Sequence, residues 1–127
     1  MLHHLSDLRR LAAIALAGIL ASPAAAQSML STETLSGVYQ RPGMSCTGGE
    51  PGAPGGPVLI EEDGLGIGGL RCDFVTRVSV SRMDALLVDA SCRFDTPTAT
   101  RLFMSRGRGG VTIVSRELGT FVLEACM

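Results

Sequence analysis

The chain predicts an all-β domain, a small antiparallel meander of about seven strands, closed as a barrel or stacked as a sandwich, with two disulfides, behind an N-terminal export signal. Three observations predict it. Apolar and polar residues alternate with period two from Leu70 to Phe94. The runs on either side are short, rich in Val, Ile, Thr and Phe, and separated by Gly and Asp turns, and nothing after residue 26 keeps a helical period. All four cysteines (Cys46, Cys72, Cys92, Cys126) lie in the last 101 residues, as in small exported domains that supplement a modest core with disulfides.

Residues 1–26 read as a signal peptide. Arg9 and Arg10 end a charged start, residues 11–20 (LAAIALAGIL) are apolar, and Pro23 precedes Ala24-Ala25-Ala26. A basic start, a short apolar centre and an A-x-A end place cleavage after Ala26. An uncleaved membrane span needs about 20 apolar residues, roughly twice this run, so no span is expected in the mature form. Arg9-Arg10 is a generic positive start; its neighbours fit the twin-arginine pattern poorly. The expected location is the periplasm or the extracellular medium.

The mature part, 27–127, divides into a flexible lead-in (27–36) and one disulfide-stapled domain (37–127). It carries nine Arg and eleven Asp or Glu, a net charge of −2, which does not suggest a nucleic-acid partner. Both histidines, His3 and His4, leave with the signal. That removes the commonest general base and metal ligand, so no catalysis and no cofactor are expected.

Gly37–Gln40 reads as a first strand and 43–57, dense in Gly and Pro, as a long loop. Val58–Ile60 is a short strand, with Asp63-Gly64 the turn after it. In the central hairpin, even positions Cys72, Phe74, Val78 and Val80 face those of a second set, Leu86, Val88, Ala90, Cys92 and Phe94; Val75 breaks the pattern. With Val80 opposite Asp84, the ladder runs Val78–Leu86, Thr76–Val88, Phe74–Ala90 and Cys72–Cys92. Both cysteines then sit opposite each other on the core face, within disulfide reach. Cys46 pairs with Cys126 by elimination. A zinc site would use C-x2-C knuckles, whereas the gaps here are 25, 19 and 33 residues. Strands at 100–105, 111–115 and 120–126 complete the meander.

Three features bear on chemistry. Gly64–Gly69 matches G-x-G-x-x-G, but a strand pattern comes next where a dinucleotide site needs a helix. The glycines read instead as a turn and a narrow strand that another segment can approach closely. Glu61-Glu62-Asp63 reads as a solvated turn, or a cation contact. Arg106 and Arg108 at a hairpin tip, with Arg101 and Arg116 on or near the same strands, could grip a carboxylate or phosphate. With the loop 47–57 they form the expected contact surface.

Gly37-Val38-Tyr39 with Cys46, Cys72, Cys92 and Cys126 after it resembles small exported two-disulfide β-proteins of Gram-negative bacteria. The layout is also loosely similar to the periplasmic lysozyme inhibitors, small disulfide-bonded β-barrels, although their Ser-Gly-x-x-Tyr loop is not found here. The expected function is a non-catalytic periplasmic or secreted binding or envelope-associated protein with an envelope component or protein as partner. The alternative is a protein inhibitor of an envelope-degrading hydrolase such as lysozyme, which the second resemblance implies.

Overall fold

The computed structural model describes residues 30–126. The predicted signal peptide and its cleavage point lie outside them. A one-turn helix, α1 (Thr32–Leu35), precedes eight strands: β1 (Gly37–Gln40), β2 (Val58–Glu61), β3 (Gly64–Ile67), β4 (Leu70–Ser79), β5 (Ala85–Arg93), β6 (Pro97–Gly107), β7 (Gly110–Ser115) and β8 (Gly119–Ala125). Each strand pairs antiparallel with the next. β8 returns to β1, with Tyr39 opposite Ala125 and Gln40 opposite Glu124. The sheet is therefore a closed barrel, which leaves no strand edge to be covered.

The strand beyond the expected seven is β3, the glycine run. Leu65 and Ile67 point into the core while Gly64 and Gly66 form its outer side, and all four are buried. A Cβ on Gly66 would stand 3.1 Å from the Cα of Gly52, and one on Gly64 would collide with the Arg71 guanidinium. The close approach expected of these glycines is thus made by the Gly/Pro loop and by a side chain. The loop itself has no strand and is docked at Gly52, while Thr47–Pro51, Pro54 and Gly55 are exposed. Gly52 N–H donates to Pro57 O at 2.7 Å, and Gly69 N–H donates to Gly52 O at 2.8 Å.

Both predicted disulfides are present, Cys46–Cys126 and Cys72–Cys92. Cys72 and Cys92 have no exposed surface, so their bridge lies inside the barrel. Inward side chains from every strand surround it, among them Ile60, Leu86, Val88, Leu102, Met104 and Ile113. No buried side-chain nitrogen or oxygen among the described residues lacks a hydrogen-bond partner. The lumen is filled by side chains, as expected of an eight-stranded barrel of this size.

The lead-in departs from the sequence reading. From Leu30 onward it packs across one mouth of the barrel. Leu30 and Leu35 are buried, and the Tyr39 hydroxyl donates to Leu35 O at 2.7 Å. Ser31 caps α1, its Oγ accepting from Thr34 N–H at 3.1 Å. The cause is apolar: a closed barrel exposes its inner residues at an open end, and two leucines cover them.

The central hairpin keeps the expected register at Cys72↔Cys92 and Phe74↔Ala90, then slips by one at a β-bulge between Phe74 and Thr76. Beyond it the pairs are Thr76↔Asp89, Arg77↔Val88, Val78↔Leu87 and Ser79↔Leu86. A one-residue slip exchanges the two faces of a strand. Val78, expected in the core, is on the outer wall and 58% exposed. Arg77 and Ser79 take the inner side, opposite buried Val88 and Leu86. Phe94, also expected inside, lies just past the end of β5 and is largely exposed.

Candidate functional site

A cleft of about 300 Å³ lies where α1, the β2–β3 turn and the free end of the β4–β5 hairpin meet. Leu30 and Leu86, both 2% exposed, make it apolar at the base. Thr32 and Ser79 join the three elements across it. The Thr32 hydroxyl donates to Glu62 O at 2.7 Å, and the Ser79 hydroxyl donates to Leu30 O at 3.0 Å. The charged groups of the cleft are Glu33 on α1, Glu62 in the β2–β3 turn and Arg77 on β4.

Arg77 is there because of the bulge. Strict alternation would have put it on the outer wall, among solvated charges. The extra residue at Val75 turns it to the mouth of the barrel, with its guanidinium carbon 5.9 Å from the centre of the Phe74 ring. Five arginines sit on strands: Arg71, Arg77, Arg93, Arg101 and Arg106. Among the described residues, the other four each lie within 4.0 Å of a carboxylate, and Arg77 does not. Glu33 and Glu62 are also outside every ion pair of the described residues.

The residues expected to hold an anion are arranged differently. Arg101 donates to both carboxylate oxygens of Asp89, at 2.8 and 3.2 Å, and Arg106 does the same to Asp84, at 2.8 and 3.2 Å. Arg108 is in the β6–β7 turn beside Arg106, whereas Arg116 is in the β7–β8 turn, near Arg101 across the Leu102↔Ser115 pair. Five residues of extended strand separate Arg101 from Arg106, roughly 17 Å. The four form two separate pairs, one midway along β6 and one at its C-terminal end, not one grip.

The acidic turn is held from within the chain. Arg71 reaches Glu61 at 2.7 Å, Asp73 at 3.1 Å and Asp63 at 3.5 Å. Its guanidinium is held in the charged form chiefly by the Glu61 hydrogen bond, against the opposing effect of burial. The cation among Glu61, Asp63 and Asp73 is thus a guanidinium. No group of three or more His, Cys, Asp or Glu among the described residues is arranged to hold a metal ion. Burial pushes the Tyr39 hydroxyl above its ordinary value, partly offset by Arg106.

Hydrogen bonds from Arg101 and then Thr76 hold the Asp89 carboxyl below its ordinary range. A depressed folded-state value stabilises the fold above the carboxyl's unfolded pKa, and that contribution is lost as pH falls through the folded one. An NMR titration is expected to show Asp89 ionising below an ordinary aspartate, and Arg101→Gln to move its midpoint upward. An unmoved midpoint would show that the pair does not set it.

The fold and the cleft together define a class: a closed, up-and-down eight-stranded barrel, filled by side chains and stapled by two disulfides, with a charged cleft at one mouth. Compared with models of protein families, with curated proteins and with solved structures, the chain has no match. Among the described residues no helix is long and apolar enough to cross a membrane.

The sequence reading missed Glu33 and Arg77 as site residues and placed Glu62 only in a solvated turn. Val75 was the available signal. Its break in the alternation falls where β4 bulges, and a bulge re-aims the side chains beyond it.

Proposed function

We propose that the chain is an exported, non-catalytic binding protein, periplasmic or secreted, which takes its ligand or envelope partner in the cleft at the α1 mouth of the barrel. The observation that carries this reading is the cleft, where the exposed side chain of Arg77, on the inner side of β4 and with no carboxylate within 4.0 Å, lines the same hollow as Glu33, Glu62 and two buried leucines. Ligand sites of small barrels gather at their mouths, and here one mouth carries a cleft of about 300 Å³. The non-catalytic part of the reading is supported by a region 27–127 without histidine and by cysteines that are all in disulfides.

The test is recovery of a partner from an envelope extract on the immobilised, oxidised protein, with Arg77→Ala as the comparison. A partner retained by the native protein and lost by the variant is the expected result. If nothing is recovered and a deletion strain has an unaltered envelope, the reading is wrong.

A second reading, inhibition of an envelope-degrading hydrolase such as lysozyme, is favoured by the closed, disulfide-bonded barrel, the architecture its resemblance implied. A panel of lysozymes assayed with micromolar protein tests it; full activity throughout would end it.

A further inference from the structure

The chemistry of the cleft narrows what it can take. A guanidinium recognises a carboxylate through two parallel N–H donors, and an ammonium group finds its natural acceptor in a carboxylate. The cleft offers one of the first kind, Arg77, and two of the second, Glu33 and Glu62. Leu30 and Leu86 line it too, each with only 2% of its surface exposed. A purely anionic ligand would meet two carboxylates, and a purely cationic one would meet Arg77. A ligand with both charges satisfies all three.

Size limits it further. A cleft of about 300 Å³ is at the small end of ligand pockets, which suits an amino acid or a dipeptide rather than a folded partner. The backbone of the site is held in place without a ligand. The Thr32–Glu62 and Ser79–Leu30 hydrogen bonds tie its three elements together. Binding therefore needs little ordering of the chain.

We infer that the α1 mouth of the barrel binds a small zwitterion of the amino-acid or short-peptide class, its carboxylate on Arg77 and its ammonium group toward Glu62 and Glu33. This rests on the cleft being the binding site and deepens that reading by naming the ligand class.

The test uses the dipeptide alanyl-leucine as the probe, with its N-acetylated and C-amidated forms as comparisons. Each is titrated into the oxidised, 15N-labelled protein and tracked by amide chemical shifts. Saturable shifts at Thr32, Glu62, Arg77 and Ser79 are expected with the free dipeptide. Each blocking group should weaken binding at least about tenfold, the scale of a hydrogen bond to a charged group. Arg77→Ala should weaken the free dipeptide as much as amidation does, and amidation should then have no further effect. Arg77→Lys should retain part of the affinity. Arg77 is exposed, so unchanged thermal unfolding of both variants is expected and confirms that they fold.

No saturable shift up to about 20 mM dipeptide, or equal binding of the blocked forms, overturns the inference. If that occurs while an extract partner still depends on Arg77, the ligand class is wrong and the site stands. If Arg77→Ala also leaves extract binding untouched, the cleft itself is not the site.

Discussion

Replacing Cys46 and Cys126 together by alanine is expected to lower the stability of the domain by about 4–5 kcal/mol. The bridge spans 80 positions, so its loss frees a long stretch of the unfolded chain, whereas Cys72–Cys92 spans 20 and is worth about 3 kcal/mol on the same chain-entropy reasoning. Geometry adds to the difference. The first bridge ties the β1–β2 loop to the residue just after β8, next to the β1–β8 seam, which has two register pairs against nine between β5 and β6. Next to those two pairs, the Cys126 N–H donates to Val38 O at 2.8 Å. The disulfide therefore clamps the shortest ladder of the barrel, the one whose opening would turn a closed sheet into an open one. Urea unfolding of the double variant should show the loss, and hydrogen exchange should be fastest along β1 and β8. A loss of less than about 1 kcal/mol would mean that the seam holds without its clamp.

Leu102→Ala is expected to cost about 2–5 kcal/mol. Leu102 has no exposed surface and lies opposite Val88 on one side and Ser115 on the other. Its side chain is part of what fills the lumen, and a filled lumen cannot close over the lost methyl groups. Val114→Ala is the natural comparison. Val114 stands opposite Phe103 on the outer wall, is 43% exposed, and should change stability by no more than roughly 0.5 kcal/mol. The contrast tests function as well as packing. A barrel that carried its ligand inside would tolerate the larger cavity, and the binding reading would then move from the mouth to the interior. Equal effects of the two substitutions would point that way.

Much of the fold was legible because its signals are local. Alternation from Leu70 onward made the central strands readable; a three-residue loop put Cys72 opposite Cys92, and the structure reaches the same pair with a turn one residue longer, Val80 facing Ala85, offset by the bulge. The second bridge was then fixed by the first. The narrow glycine strand was readable for what it admits, although the partner that approaches it, Gly52, was not. The docked loop and the buried lead-in were hidden for one reason. Gly/Pro-rich and polar segments carry no periodicity, and what fixes them is the surface they lie on. Leu30 and Leu35 are two apolar residues in a polar stretch until a barrel mouth is there to receive them.

The candidate site was hardly legible at all. Its groups come from positions 30 to 49 residues apart along the chain, as the Thr32–Glu62 and Ser79–Leu30 hydrogen bonds show. Of the arginines that looked promising, Arg101 and Arg106 are each paired with their own carboxylate and stand apart along β6. Arg77, which lines the candidate cleft, was assigned to the other face.

Sequence by itself determined the strand class, the antiparallel order, both disulfides and the filling of one face with aliphatic side chains. These depend on neighbours one or two residues away, or on residues that a short loop brings opposite each other. Tertiary structure alone decided that the sheet closes on itself, that the chain before β1 covers one mouth, and that β4 bulges at Val75. Closure and bulging are set by the twist and stagger of eight strands together, which no single strand's pattern encodes. The bulge then decided the face of Arg77, and with it the charge at the α1 mouth of the barrel.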